Sequence, residues 1–306
     1  NGSSFISMVP SGASTGSREA LELRDGGKDY MGKGVMNAID NIHNLIAPAL
    51  IGFDVRDQQS IDEKMIALDG SITKSNFGAN AILGVSLAVL GAGAKVSEQP
   101  LYKYINNVFH EINSVKLDMQ LPVPMLNIIN GGEHADNNID IQEFMIMPVG
   151  ATSFSQGMQW SVEIYGGLKK LLQQRNLSTG VGDEGGFAPN LQSHEEAIEL
   201  IIEAIESNNL KPGLDVSLAL DCAATEFYEN NLYSLKGEAL KLTSPEFSKY
   251  LESLSSSYPI VSIEDGMDES DYEGWKTLTD ALGSKCQLVG DDLFVTNVAE
   301  LQKGID

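Results

Sequence analysis

The sequence predicts an α/β protein in which a parallel sheet is covered by helices, with a smaller α+β region before it. Two observations lead to this prediction. After residue 124, short apolar segments alternate with amphipathic helical segments, and this order is typical of parallel strands packed between helices. Before about residue 110, one strand-like segment is followed by apolar residues that recur at helical spacing.

The N-terminal region begins with a predicted strand over residues 4–9, which stops at Pro10. Helical spacing follows over residues 34–50 and 56–68. Residues 77–94 carry no charge, so a membrane span has to be considered. The stretch is rich in Gly and Ala, which makes it weakly hydrophobic for a bilayer. We predict instead a helix that is buried in a soluble core.

A polar stretch over residues 111–124 predicts a linker. Beyond it, predicted strands over 125–129 and 141–149 are followed by two helical segments, 153–174 and 195–207. Strand and helix then alternate over residues 217–221, 244–256, 260–264, 270–282 and 287–291. The predicted order is therefore β-β-α-α followed by strand–helix units, with five strands where a closed barrel needs eight.

A barrel and a doubly wound sheet both fit this alternation. The sequence has no G-x-G-x-x-G motif after a strand and no Walker A motif, which are the nucleotide-binding signatures of open α/β sheets. Its strands end instead in carboxylates, as the strands that carry an active site in a (β/α) barrel often do. The barrel is the favoured prediction.

Composition excludes some classes of partner. The net charge is −23, from 20 basic and 43 acidic residues, which argues against nucleic acid because phosphates are bound by clustered Lys and Arg. Cys222 and Cys286 have no ligand-like spacing. They are predicted to be small buried side chains in a reducing compartment.

Three predicted strands run from apolar residues directly into acid, at Asp221, at Glu264-Asp265 and at Asp291-Asp292. In a parallel barrel these ends face one mouth, so the carboxylates should converge there. Converging carboxylates repel one another, and a divalent cation would neutralise them; all-oxygen ligands favour Mg²⁺ over Zn²⁺. The alternative is that these acids are solvated loop residues or helix caps.

Two glycine-flanked loops add polar groups, one around His134 and one around Glu184. Glycine lets the backbone approach a ligand closely, although such loops are often only turns. Gln142 and Glu143 stand in an otherwise apolar strand. A polar pair in that position needs partners or a function.

These residues give the chain a close resemblance to the enolase family, of bacterial type, along nearly its whole length. The stretches that carry the resemblance are PSGASTG (10–16), KSNFGANAIL (74–83), NIINGGEHAD (127–136), QEFM (142–145), VGDEGG (181–186), LDCAATEF (220–227), YPIVSIED (258–265) and DDLFVTN (291–297).

The resemblance implies a small α+β domain over residues 1–118 and a barrel domain over 119–306. It also implies dehydration of 2-phosphoglycerate to phosphoenolpyruvate in glycolysis and gluconeogenesis, through an enediolate. Two Mg²⁺ ions would stabilise that intermediate, the second arriving with substrate.

The resemblance also assigns site residues. Asp221, Glu264 and Asp291 would hold the first Mg²⁺, which grips the substrate carboxylate, and Ser14 would help to bind the second. Glu184 would be the general acid, assisted by Glu143. Gln142 and His134 would line the substrate site.

Further expectations concern the whole protein. Relative to the family, the chain lacks its first strands and the last part of the barrel, where the proton-abstracting lysine lies, so the 306 residues alone are expected to be inactive. A cytoplasmic homodimer or higher homo-oligomer is implied, with a possible surface-associated or secreted pool and no membrane span. Two alternatives stay open: another Mg²⁺-dependent lyase or isomerase of the enolase superfamily, and a non-catalytic binding or scaffold protein.

Overall fold

The computed structural model describes residues 4–12 and 15–306. The chain divides into two compact units. The first contains residues 4–12 and 18–120, and the second contains residues 15–17 and 121–306.

The first unit is helical over most of its described length. Its helices are α1 (Met36–Asn41), α2 (Ala47–Leu50), α3 (Gln58–Asp69), α4 (Ala79–Val96) and α5 (Leu101–Asn113), and a π-helical turn, Ile42–Ile46, joins α1 to α2. The two helices predicted over residues 34–50 and 56–68 are confirmed. They pack against α4 through a small core that contains Ile46, Met65 and Ile82.

The strand predicted over residues 4–9 is wrong. Residues 4–9 form no strand, because an extended segment becomes one only by pairing its backbone with a neighbouring strand. Contacts to α4 occur instead: the Ser7 hydroxyl donates to the carbonyl of Gly84 at 2.7 Å, and Lys95 Nζ donates to the carbonyl of Ser4 at 3.1 Å.

Helix α4 is the uncharged stretch that the sequence singled out. Among the described residues it is the one helix with the length and composition of a membrane span, with a mean hydropathy of 1.6, and 28% of its residues are buried. The helix is confirmed, but full burial is wrong. Its glycines seat aromatic rings of the same unit, since a Cβ on Gly91 would lie 2.0 Å from the Phe5 ring and one on Gly93 would lie 2.4 Å from the Tyr104 hydroxyl. Packing of this kind is typical of a helix on the edge of a protein core.

The second unit contains all the strands among the described residues. These are β1 (Leu126–Asn130), β2 (Glu143–Met147), β3 (Ser217–Asp221), β4 (Tyr228–Glu229), β5 (Leu232–Leu235), β6 (Leu240–Leu242), β7 (Ile260–Glu264) and β8 (Gln287–Val289). Its helices are α6 (Phe154–Gln174), α7 (His194–Ser207), α8 (Ser244–Ser257), α9 (Tyr272–Leu282), α10 (Asp291–Phe294) and α11 (Val298–Ile305).

The main sheet has five strands in the order β1-β2-β3-β7-β8. The pairs β1–β2 and β2–β3 are antiparallel, whereas β3–β7 and β7–β8 are parallel. The predicted β-β-α-α start and the later strand–helix units are confirmed. Over the described residues the sheet is open and does not close into a barrel, as expected of an incomplete one.

Two details differ from the prediction. A three-stranded antiparallel meander, β4-β5-β6, was not predicted, because its strands of two to four residues carry too little periodicity. Strand β8 ends at Val289 rather than at Asp291, because the chain turns into α10 there.

The core of the second unit lies between the sheet and α6–α9 and includes Phe144, Phe187, Tyr233 and Phe247. Cys222 and Cys286 are both buried and free, as predicted.

Candidate metal centre and acid–base site

A row of polar residues crosses four strands of the main sheet. Asn130 pairs with Glu143, Glu143 with Asp221, and Asp221 with Glu264. Strands β1, β3 and β7 end at this row and β2 begins there. Because register partners project their side chains to the same face, the carboxylates of Asp221 and Glu264 converge at one edge, as predicted for these two strand ends.

The acidic side chains form two groups that share a member. Ligand atoms of Asp221, Glu264 and Asp265 all lie within 4.8 Å of one another, and the same is true of Asp265, Asp291 and Asp292. Asp221 and Glu264 therefore come together as expected, while Asp291 lies in the neighbouring group. Asp291 is displaced from the row because it begins α10 instead of extending β8.

Asp265 joins the two groups, and the sequence reasoning missed it as a site residue. Its backbone has φ = +42°, a conformation that aspartate tolerates better than most residues. Its Oδ2 accepts from the backbone N–H of Asp292 at 3.0 Å, whereas the buried Oδ1 has no hydrogen-bond partner. Its position directly after Glu264 was the available signal, but neighbouring strand residues ordinarily point to opposite faces.

Burial and mutual repulsion raise the pKa values of Asp221, Glu264 and Asp265. The pKa of Asp221 is raised from 3.8 to about 7, first by burial and then by the charge of Glu264. The pKa of Glu264 is raised to about 7 by burial and by Asp265. Burial, with Asp292 as the largest neighbouring charge, raises the pKa of Asp265 to about 7 as well.

These residues fit Mg²⁺. The donor atoms are all carboxylate oxygens, which are the ligands that hard divalent cations take, and one of them, Asp265 Oδ1, is buried without a partner. Bringing such groups together in their charged form is unfavourable unless a cation compensates them. The carboxyl groups of this cluster ionise with difficulty in the absence of a cation, and a bound divalent cation would stabilise their charged forms.

The polar pair at the start of β2 has partners, as the sequence required. Gln142 Nε2 donates to Asp221 Oδ2 at 3.1 Å, which couples β2 to the acidic cluster. The pKa of Glu143 is raised to about 9, first by burial, then by a hydrogen bond with Glu184 and by the charge of Asp221. At neutral pH Glu143 therefore keeps a proton that it can share with Glu184.

His134 lies between the two glutamates. Its Nδ1 is 3.2 Å from Glu143 Oε1 and its Nε2 is 3.9 Å from Glu184 Oε1, without the alignment of a hydrogen bond. His134 is 4% exposed and Glu143 is 8% exposed, whereas the Glu184 side chain is 45% exposed. The three form one group, with the exposed member facing solvent.

A tight turn over residues 182–186 presents Glu184. Gly182 N–H donates to the carbonyl of Gly186 at 2.8 Å, and Asp183 N–H donates to the carbonyl of His134 at 3.0 Å. A Cβ on Gly186 would lie 2.5 Å from Asn130 Oδ1, so only glycine lets this turn lie against β1. The glycines on both sides of Glu184 thus serve close packing beside the site.

Ser14 lies outside the described residues. The chain just after it is anchored in the second unit: Ser17 N–H donates to Glu269 Oε2 at 3.1 Å, and the Ser17 hydroxyl also donates to Glu269. A Cβ on Gly16 would lie 3.1 Å from Asp292 Cα. Gly16 therefore lies beside the second acidic group.

Two family models match the chain. The model of the enolase C-terminal TIM barrel domain matches residues 118–306, and the model of the enolase N-terminal domain matches residues 1–105. The barrel model covers all the residues of the acidic groups and of the glutamate pair.

Proposed function

Because the chain belongs to the enolase family, we propose that it catalyses the Mg²⁺-dependent dehydration of 2-phosphoglycerate to phosphoenolpyruvate. The observation that carries the proposal is the register row in which Glu143, Asp221 and Glu264 stand on three adjacent strands. One side of the row gathers carboxylates for a cation, and the other side gathers two glutamates and a histidine.

The acidic cluster provides the binding side of the reaction. Removing the proton next to a carboxylate adds a second negative charge to a group that is already charged. When bound at Asp221, Glu264 and Asp265 or at the adjoining Asp291 group, Mg²⁺ would supply positive charge to stabilise that dianion. Two groups that share Asp265 are compatible with more than one cation.

The glutamate pair provides the acid side. A departing hydroxyl needs a proton, and Glu184 is the exposed carboxyl that a substrate can reach. Glu143 is buried, and one of its carboxyl oxygens lies within 4.8 Å of one of Glu184. Its pKa, raised to about 9, keeps a proton on it at neutral pH, which can replenish Glu184. His134 lies in contact range of both carboxyls and is positioned to orient them or to bind substrate.

The proposal is tested by the formation of phosphoenolpyruvate, followed by ultraviolet absorbance, in the full-length protein with saturating Mg²⁺. Glu184→Gln should lower kcat by about 10²- to 10⁴-fold, the usual contribution of a general acid. Asp183→Asn, one residue away in the same exposed turn, is the matched control and should retain activity.

Two results would overturn the proposal. Wild-type protein that leaves 2-phosphoglycerate unchanged but exchanges the α-proton of another carboxylate would be a different Mg²⁺-dependent member of the superfamily. Protein that binds neither Mg²⁺ nor substrate in calorimetry would favour the non-catalytic binding or scaffold alternative.

The same proposal assigns the protein to glycolysis and gluconeogenesis in the cytoplasm, as a homodimer. Light scattering coupled to size-exclusion chromatography measures the oligomeric state, and a monomer at micromolar concentration would contradict that part of the proposal.

A further inference from the structure

A second buried histidine lies outside the catalytic groups. His194, the first residue of α7, is 1% exposed. Its Nε2 accepts from the backbone N–H groups of Asp140 at 3.2 Å and Ile141 at 3.4 Å. Its Nδ1 lies 2.9 Å from the Tyr250 hydroxyl and 3.3 Å from Glu238 Oε1. Sequence reasoning gave this histidine no role.

The contacts of His194 fix its tautomer. Backbone N–H groups can only donate, so Nε2 accepts from them as an unprotonated nitrogen. The Asp140 carboxylate, whose Oδ2 lies 3.6 Å from Nε2, already accepts from the backbone N–H groups of Lys236 and Gly237. The ring proton is then on Nδ1, which donates to the Tyr250 oxygen while the Tyr250 hydroxyl donates to Glu238 at 3.2 Å. Glu238 in turn accepts from the His194 backbone N–H at 2.8 Å. A carboxylate and a tyrosine thereby hold the imidazole in one orientation, as outer partners do for functional histidines.

The segment that His194 holds leads directly into the site. Asp140 and Ile141 immediately precede Gln142, which donates to Asp221, and Glu143, which has a carboxyl oxygen within 4.8 Å of one of Glu184. The other contacts of this segment support the same position: Gly132 N–H donates to the carbonyl of Ile139 at 2.7 Å. The Asp140 carboxylate accepts from the backbone N–H groups of Lys236 at 2.9 Å and Gly237 at 3.0 Å. Among the described residues, the backbone N–H groups of Asp140 and Ile141 donate to His194 Nε2. The next residue, Gln142, is held by backbone hydrogen bonds to Asp221 and Gly131, so His194 extends the ordered backbone by the two residues that precede it.

We propose that His194 is a positioning residue for the reaction. Its Nε2 accepts hydrogen bonds from the backbone N–H groups of Asp140 and Ile141, and these bonds help to set the positions of Gln142 and Glu143. The inference rests on the proposed function, since it concerns the placement of the proposed acid pair. A shift of about 1 Å in a catalytic group can cost about 10²-fold in rate, so this contact acts on kcat without touching substrate.

Two substitutions of His194 distinguish the roles of its two ring nitrogens. In His194→Gln, the side-chain carbonyl can reach the place of Nε2 and accept from Asp140 and Ile141. In His194→Asn, the shorter amide can replace the Nδ1 donor towards Tyr250 but leaves no acceptor at Nε2. Both variants lose the ring that packs against Phe144, with centroids 6.3 Å apart, and the two replacements differ by one methylene group.

The experiment measures kcat and KM in the full-length protein, together with amide hydrogen exchange at single-residue resolution. We expect His194→Asn to lower kcat by about 10- to 100-fold with KM nearly unchanged. It should also speed exchange at the amides of Asp140 and Ile141 by about tenfold, while the amide of Ile146 in the interior of β2 stays protected. His194→Gln should keep kcat and the exchange at both amides within about threefold of wild type.

The opposite results would overturn the inference. If the two variants lose kcat equally, or if exchange rises at Ile146 as much as at Ile141, His194 contributes only to the stability of the fold. If wild-type protein does not act on 2-phosphoglycerate, the proposed function fails, and the exchange comparison still decides whether Nε2 holds the segment before Glu143.

Discussion

Glu143 and Asp221 are direct register partners across β2 and β3, and each is only 8% exposed. Two buried acidic side chains on the same face of adjacent strands destabilise each other when both are charged. The pairing of β2 with β3 thus places Glu143, which holds a proton, beside Asp221, which belongs to the acidic cluster that can bind a cation.

Without metal, the stability of the folded protein should fall as the pH rises from about 4 to about 7. The folded-state pKa of Asp221 is raised from 3.8 to about 7, so the unfolded state loses its proton first and gains stability as the pH rises. Glu143, with a pKa raised to about 9, extends the loss into the alkaline range. Thermal unfolding in EDTA between pH 4 and 9 measures this loss of stability.

Added Mg²⁺ should raise the melting temperature more at pH 8 than at pH 5, because protons compete with the cation for the same oxygens. Added Na⁺ at matched ionic strength is the control. A metal-free protein that becomes more stable between pH 5 and 8, or an equal Mg²⁺ effect at both pH values, would contradict the assignment of the cluster.

Asp221→Asn should stabilise the metal-free protein at pH 8 and weaken its affinity for Mg²⁺. The substitution removes one buried charge, and the Gln142 amide can turn so that its Oε1, which has no partner, accepts from the new amide. The gain should be on the order of 1–4 kcal/mol, since one pKa unit corresponds to about 1.4 kcal/mol. Chemical denaturation with and without Mg²⁺ measures both effects. The exposed variant Asp183→Asn should change neither the free energy of unfolding nor the affinity for Mg²⁺. If Asp221→Asn is less stable than wild type without metal, charge repulsion does not destabilise the cluster.

Glu143→Gln should fold normally at pH 7, because an amide resembles the protonated carboxyl that Glu143 keeps there. The variant should lose the Glu143 contribution to the pH dependence of stability, which extends from about pH 4.5 to about pH 9. Its kcat should fall by about 10²-fold or more. Glu252→Gln, at an exposed position on α8, serves as control. Unchanged kcat in Glu143→Gln would exclude Glu143 from the acid pair.

Gly186→Ala should disturb the Glu184 turn. Its Cβ would lie 2.5 Å from Asn130 Oδ1 and 3.0 Å from Asn127 Oδ1, so the turn must move away from β1, at a cost of about 1–3 kcal/mol. Gly166→Ala in α6 meets nothing within 4 Å and should stabilise its helix by about 0.5–1 kcal/mol. Thermal unfolding and kcat are measured on both variants. If Gly186→Ala and Gly166→Ala have the same melting temperature and the same kcat, the turn accommodates the added Cβ without cost.

The sequence predicted the parallel strands of the site well. Strands β3 (Ser217–Asp221) and β7 (Ile260–Glu264) were predicted to the residue, since each is a short apolar run that ends in acid. Their convergence could also be predicted, because the ends of parallel strands share one edge. The strand at residues 4–9 failed, because strand formation depends on a partner that the local sequence does not specify.

The sequence by itself determined the β-β-α-α order, the strand ends that carry acid and the oxygen-only character of the site, because these follow from local periodicity and residue type. Only the tertiary structure decided that Asp265 joins the two acidic groups, that Asp291 falls into the second, and that a buried histidine on α7 holds the segment before Glu143. Those relations depend on strand register, on a left-handed turn and on contacts between residues distant in sequence, and none of these leaves a local pattern.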